Sequence, residues 1–289
     1  MSFDAFLETA WNDHADRPDE VAGRLAHSMA LATEPGHLIP YARIVAHVYG
    51  EHLGRWTDGV ALIESLRRSA ANDGKPETAS AMARYAGALL CGAGDDAALA
   101  ALDRDDRIAA LAIASSAFTA RSEWSRAIGA LDEALKEAEP GIVYGSQAIR
   151  PLAVAGNNLA EALESKPDRS ANETFSMIGA AQAGLTYWKR AGTWLEEERA
   201  FWRLAKSRLA AGDYADAIAS ARDCLAVCES NDAPAFERFF GYAALAQAQR
   251  AAGDTAGAAA SARTAVELHS RVPEDERHWC AAELARLSG

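Results

Sequence analysis

The chain has 289 residues, 49% hydrophobic and 24% charged, an apolar content too high for a disordered chain. Its formal net charge of −12 excludes a general nucleic-acid binder, because tracking phosphates takes clustered Lys and Arg. The same charge opposes adsorption to anionic membranes, and no run nears the roughly 18 apolar residues of a membrane span.

The start, MSFDAFLETAWNDH, lacks the basic segment and apolar core of a secretory signal. Cys91, Cys224, Cys228 and Cys280 are few and irregularly spaced, which fits reduced thiols and a cytoplasmic location. Residues 6–32 open the chain with two short amphipathic stretches. Residues 41–66 turn at Gly54 and continue through Trp56, Gly59 and Leu66. Residues 77–102 form a looser copy whose second helix is short. Residues 111–135 turn at Ser122 and continue through Trp124, Ala127 and Ala134, and Pro140 closes them. The span 141–198 is the least regular. It reads as a helix opened by Pro151, a KPDRS turn, and a second helix ended by Gly192.

Two near-copies follow. AAGDYADAIASARDCLAV at 210–227 recurs as AAGDTAGAAASARTAVEL at 251–268, with Gly212 and Gly253 aligned. Small residues flank each glycine at matching offsets: Ala205 and Ala246 before it, Ala217 and Ala258 after it, then Cys224 and Ala265. Such residues let two antiparallel helices approach closely. Gly ends the first helix and Asp213 or Asp254 caps the second. PEDERHWCAAELARL, opened by Pro273, reads as a terminal helix. Nothing alternates with period two, so no sheet is predicted.

These spacings resemble the tetratricopeptide repeat (TPR) family, whose unit is a helix–turn–helix of about 34 residues. Phe201, Leu204, Ala205, Gly212, Tyr214, Ala217 and Cys224 carry the resemblance best. Tyr242, Leu245, Ala246, Gly253, Ala258 and Ala265 follow, with Thr255 in place of the turn aromatic. Leu111, Phe118, Trp124, Ala127, Leu131 and Ala134 form a third match. His47 stands in a small-residue position and Gly59 in an Ala position. The resemblance implies an all-α, right-handed superhelix over 1–289. Its seven pairs span 4–33, 38–70, 77–102, 105–139, 144–191, 194–230 and 234–270, with a cap at 274–288.

Little in the sequence points to chemistry. CGAGDDA at 91–97 superficially matches a dinucleotide loop, but a helical stretch precedes it and Asp95 and Asp96 would repel phosphate. Cys224 and Cys228 share a helix face and could meet His269, His278 or Cys280 around zinc. Cys224 fills a packing position, however, so no metal is expected. His47 and His52 lack the spacing of zinc proteases, and no nucleophile elbow or phosphate loop appears. No catalytic residue and no cofactor are expected.

In a TPR-like stack the first helices line the concave side. There Arg199, Trp202, Arg203 and Lys206 share one face, with Arg150 and Asn157 on the preceding first helix and Gln247 and Arg250 on the following one. They read as a basic, amide-bearing stripe suited to a protein or peptide segment, acidic or ending in a carboxylate. Some TPR proteins hold a terminal carboxylate with such residues. The opposing reading pairs these charges with local acids such as Glu196, Glu197 and Glu198. Trp11, His14, Tyr41, Ile44 and Val48 offer a second, apolar wall. The expected function is a non-enzymatic peptide-binding scaffold. The alternatives are a self-associating protein whose groove holds its own chain or a second copy, and a helical enzyme or small-ligand sensor.

Overall fold

The computed structural model describes residues 1–287. Among them are fifteen α-helices and no strand. They cluster into two compact units, Met1–Ala155 and Gly156–Gly289, so the array expected over 1–289 is described as two bodies.

The first unit holds α1 (Phe3–Asp13), α2 (Pro18–His27), α3 (Pro35–Ala46), α4 (Trp56–Arg67), α5 (Pro76–Ala93), α6 (Ala97–Ala100), α7 (Arg104–Ala120), α8 (Trp124–Ala138) and the start of α9 (Ile149–Ser165). Pro18, Pro35 and Pro76 each open a helix, where a missing N–H costs nothing. Ser2 caps α1 by accepting from the Ala5 N–H. The chain does not leave α3 directly: residues His47–His52 form one π-helical turn before Gly54, at φ +62°, reverses the direction. Ser122, the corresponding turn residue between α7 and α8, also has positive φ. Residues 91–97 are the end of α5, with Gly94 left-handed, followed by the short α6. This is a helix turn and not a strand-to-helix phosphate loop.

The expected apolar wall is mostly core here. Tyr41, Ile44 and Val48 are fully buried, with Phe6, Leu25, Leu38 and Ile63 around them. Tyr41 donates its hydroxyl hydrogen to the Leu25 carbonyl and Tyr49 to that of Ala22. Aromatics at helical spacing serve the interior, and only Trp11 and His14 keep partial exposure.

The second unit continues α9 and adds α10 (Ala171–Ala191), α11 (Trp194–Ala211), α12 (Tyr214–Ser230), α13 (Ala235–Ala251), α14 (Thr255–His269) and α15 (Arg277–Leu287). Ser170 with Glu173, and Thr193 with Glu196, form reciprocal capping boxes that start α10 and α11. Gly212 ends α11 in the left-handed region at φ +87°. Asp254 caps α14 through the Gly257 N–H, whereas the Asp213 side chain makes no cap bond. Asp213 turns the chain through its backbone alone.

Close helix approach follows the small residues. Ala205, Ala217, Cys224, Ala246, Ala258 and Ala265 are all buried. α11 packs on α12, α12 on α13 and α13 on α14. At Gly156 a Cβ would lie 2.6 Å from the Ala180 carbonyl oxygen, so α9 and α10 cross backbone to backbone. α15 lies against α13 and α14. Residue 288 of the predicted cap lies outside the described residues.

Candidate functional site

The second unit contains a cavity of about 620 Å³ between α9, α11, α13 and α15. On α11 the capped first turn sets the register, and Arg199, Trp202, Arg203 and Lys206 fall one turn apart on the same face. Arg199, Trp202, Arg203 and Asn157 line the cavity with Phe236, Phe240 and Trp279. Trp202 and Phe240 meet edge to face at 5.6 Å, and the Arg203 guanidinium lies 4.9 Å from the Trp202 ring centre.

Arg199 is exposed, but Arg203 and Lys206 are buried, so the α11 cations do not form one open stripe. Arg199 donates to Glu237 at 2.5 Å. Arg203 is 7% exposed and reaches Glu161 at 3.0 Å and Glu164 at 3.1 Å. Lys206 is buried against Glu283 at 3.0 Å and Gln247 at 3.1 Å. Gln247 in turn donates to Glu283 at 2.6 Å. Arg250 donates to the backbone carbonyls of Arg286 at 3.1 Å and Leu287 at 2.8 Å. Arg150 is exposed on the part of α9 that belongs to the first unit.

Seven of the eight expected residues therefore lie in the second unit. Four line the cavity, and Lys206, Gln247 and Arg250 hold α15. Sequence reasoning missed the acids that answer them: Glu161 and Glu164 on α9, Glu237 on α13 and Glu283 on α15. Glu161 and Glu164 are one turn apart, and that spacing was the available signal. The match of Glu283 to Lys206 crosses 77 positions and has no local signal.

Three polar atoms of cavity-lining residues are buried without a hydrogen-bond partner: the donors Trp202 Nε1 and Arg203 Nε, and Glu198 Oε2. A buried donor left unpaired costs about 1–3 kcal/mol, so a side-chain shift that brought either donor to a ligand's acceptor would be favoured. Glu198, which also lines the cavity, is 1% exposed, and burial pushes its carboxyl up to about 8 against the Cys224 thiol that donates to it, with Glu237 adding to the rise. The site therefore favours a neutral Glu198 at neutral pH.

Among the described residues, two groups of side chains bring metal-type donors together. Glu198, Cys224 and Cys228 are all buried, with donor atoms within 4.8 Å of one another. The third donor beside the two thiols is Glu198, and not His269, His278 or Cys280. Cys224 is raised well above the ordinary thiol range, first by its bond with Cys228 and then by burial, which makes it a poor nucleophile. His14, His47 and His52 of the first unit converge in the same way and are half-buried. Separated in sequence and out of register on a regular helix, they form no recognisable motif.

No family model matches the chain, and no curated protein matches it. Among solved structures it is similar to nearly identical TPR-like repeats of a putative kinesin light chain from Podosopora anserina. The identity is 14% and the TM-score 0.48, over 78% of this chain and 99% of that one. A point variant of the same repeats gives 14% identity and a TM-score of 0.48 over 82% and 96%.

Proposed function

We propose that the protein is a non-enzymatic scaffold of TPR-like helix pairs, located in the cytoplasm, that binds a protein or peptide segment in the second unit. The observation that carries this reading is the aromatic cavity with its two unpartnered donors. Trp202, Phe236 and Phe240 offer an apolar seat, and the indole N–H of Trp202 asks for a carbonyl or carboxylate oxygen. A short segment with one apolar side chain beside an acceptor fits both demands. The cavity's cations are already paired with carboxylates and the Cys224 thiol bonded to Glu198 is raised in pKa, which supports binding over catalysis.

The self-occupied reading also has support. α15 supplies Glu283 to Lys206 and its last carbonyls to Arg250, the role assigned to an acidic ligand. Trp279 on α15 is 67% exposed and offers a surface for a second copy. Affinity capture from native lysate with wild type, Trp202→Phe and Phe240→Ala separates these readings. Specific capture weakened by both variants supports the cavity. Equal capture by all three rejects it, and a dimer in light scattering favours the second copy.

A further inference from the structure

We propose that His14, His47 and His52 of the first unit form a three-histidine site for a zinc-class divalent cation. One ring nitrogen from each lies within 4.8 Å of the others. His47 Nε2 and His52 Nε2 face each other at 3.2 Å. Two imidazole ligands at 2.0–2.1 Å from a tetrahedral zinc stand about 3.4 Å apart. The pair thus already spans one edge of such a site, and His14, half-exposed, has to close a gap of about 1.4 Å at most.

The backbone is built for this pairing. At 3.6 residues per turn, side chains five apart on an α-helix point about 140° away from each other. The π turn at His47–His52, with Leu53 N–H donating to the Val48 carbonyl at 3.1 Å, removes most of that offset. It brings the two rings onto one side. The turn is held by packing: a Cβ on Gly50 would meet Trp56 at 3.2 Å and Leu89 at 3.3 Å. α1 then delivers His14 at its C-terminal end.

The outer contacts set the tautomers. His47 Nδ1 lies 3.0 Å from Glu51 Oε1, the arrangement of a carboxylate–histidine–metal triad. His14 Nδ1 meets the Trp11 carbonyl. With Nδ1–H donated in both rings, each Nε2 lone pair is left for a cation. Three neutral imidazoles suit zinc, copper or nickel, and three protein ligands leave a fourth position open.

The test uses the full chain, stripped with chelator and titrated with Zn²⁺ by calorimetry and with Co²⁺ by visible absorption. Wild type should bind one equivalent, giving tetrahedral Co²⁺ bands without thiolate charge transfer. His52→Asn and the double variant His47→Asn, His52→Asn should lose that equivalent, while Glu51→Gln should bind about 10–100-fold more weakly. Circular dichroism checks that each variant is folded. The exposed control His27→Asn should bind as wild type does. If a variant unfolds, the thermal midpoint decides: Zn²⁺ should raise it in wild type and less in Glu51→Gln. No binding by wild type, binding unchanged in the histidine variants, or a thiolate band in place of the imidazole spectrum would overturn the assignment.

Discussion

Lys206 Nζ lies 3.0 Å from Glu283 Oε1 although 77 positions separate them, and each side chain is only 6% exposed. The pair joins α11 to α15 inside the second unit. Burial pushes the Glu283 carboxyl up, but Lys206, Gln247 and Arg286 outweigh it and hold the group below the ordinary range.

Removing one partner should therefore cost more than removing both. Lys206→Met leaves the buried Glu283 with Arg286 and Gln247 as its remaining partners and should lower stability by about 1–3 kcal/mol. Lys206→Met combined with Glu283→Leu should recover part of that loss. Urea denaturation of the three proteins measures the difference, and equal midpoints would show that α15 is not held by this contact. A lowered carboxyl contributes stability above its unfolded pKa, and loses it as pH falls through the folded value. The wild-type advantage should thus fade at acid pH.

Glu198 predicts the opposite slope. Its carboxyl is raised to about 8, so the folded protein binds a proton that the unfolded chain has released above about 4.3. Stability from this group should fall as pH rises from about 5 to 8, then level off. Glu198→Gln should flatten the profile, with an effect of about 1 kcal/mol or more at pH 8. Denaturation midpoints at pH 6 and pH 8.5 provide the check, and an unchanged slope in the variant would assign the dependence elsewhere.

Gly212 and Gly156 should fail for different reasons when substituted. Gly212 sits at φ +87°, and no atom lies within 4 Å of where a Cβ would stand. Gly212→Val should therefore cost about 1 kcal/mol or more through backbone strain alone. Gly212→Asn should cost less, since Asn tolerates that region. At Gly156 the obstacle is the α10 backbone, and Gly156→Ala should cost about 1–3 kcal/mol by forcing two helices apart. Thermal melts of the three variants distinguish strain from collision.

Reversing charge on the α11 stripe should act on the fold before it acts on a ligand. Arg203→Glu would face Glu161 and Glu164, and Lys206→Glu would face Glu283. Both should lower stability, each by about 3 kcal/mol or more, read as a lower denaturation midpoint. Trp202→Phe, which keeps an aromatic ring and deletes the unpaired N–H, should change stability by no more than about 1 kcal/mol. A midpoint insensitive to both reversals would place these cations at the surface.

The helix pairs were legible because their signals are local. Gly212 before Asp213, and small residues at fixed offsets, declare a turn and a tight crossing within one window. The partners of the basic stripe were not legible, since Glu237 and Glu283 come from later helices and ordinary surface acids look the same in sequence. Asp213 and Asp254 occupy the same position in the two near-copies, yet only Asp254 caps: its carboxylate lies where a Cβ of Gly257 would stand, and the other copy carries Asp216 there. The three histidines escape notice because their meeting depends on one residue of extra winding, and helical periodicity assumes there is none. Tyr41, Ile44 and Val48 were legible as one face, but a face does not say whether it meets solvent or another helix.

The seat of α15 has a consequence for affinity. Residues 270–276 tether this helix to α14, so its carboxylate and terminal carbonyls meet Lys206 and Arg250 at an effective concentration in the millimolar range. An outside segment of similar chemistry would compete with a resident rival that never diffuses away. Its apparent dissociation constant would then be its intrinsic one divided by the fraction of time the rival is unseated. Cutting the chain before Arg277 would change that fraction without touching a single residue of the receiving face.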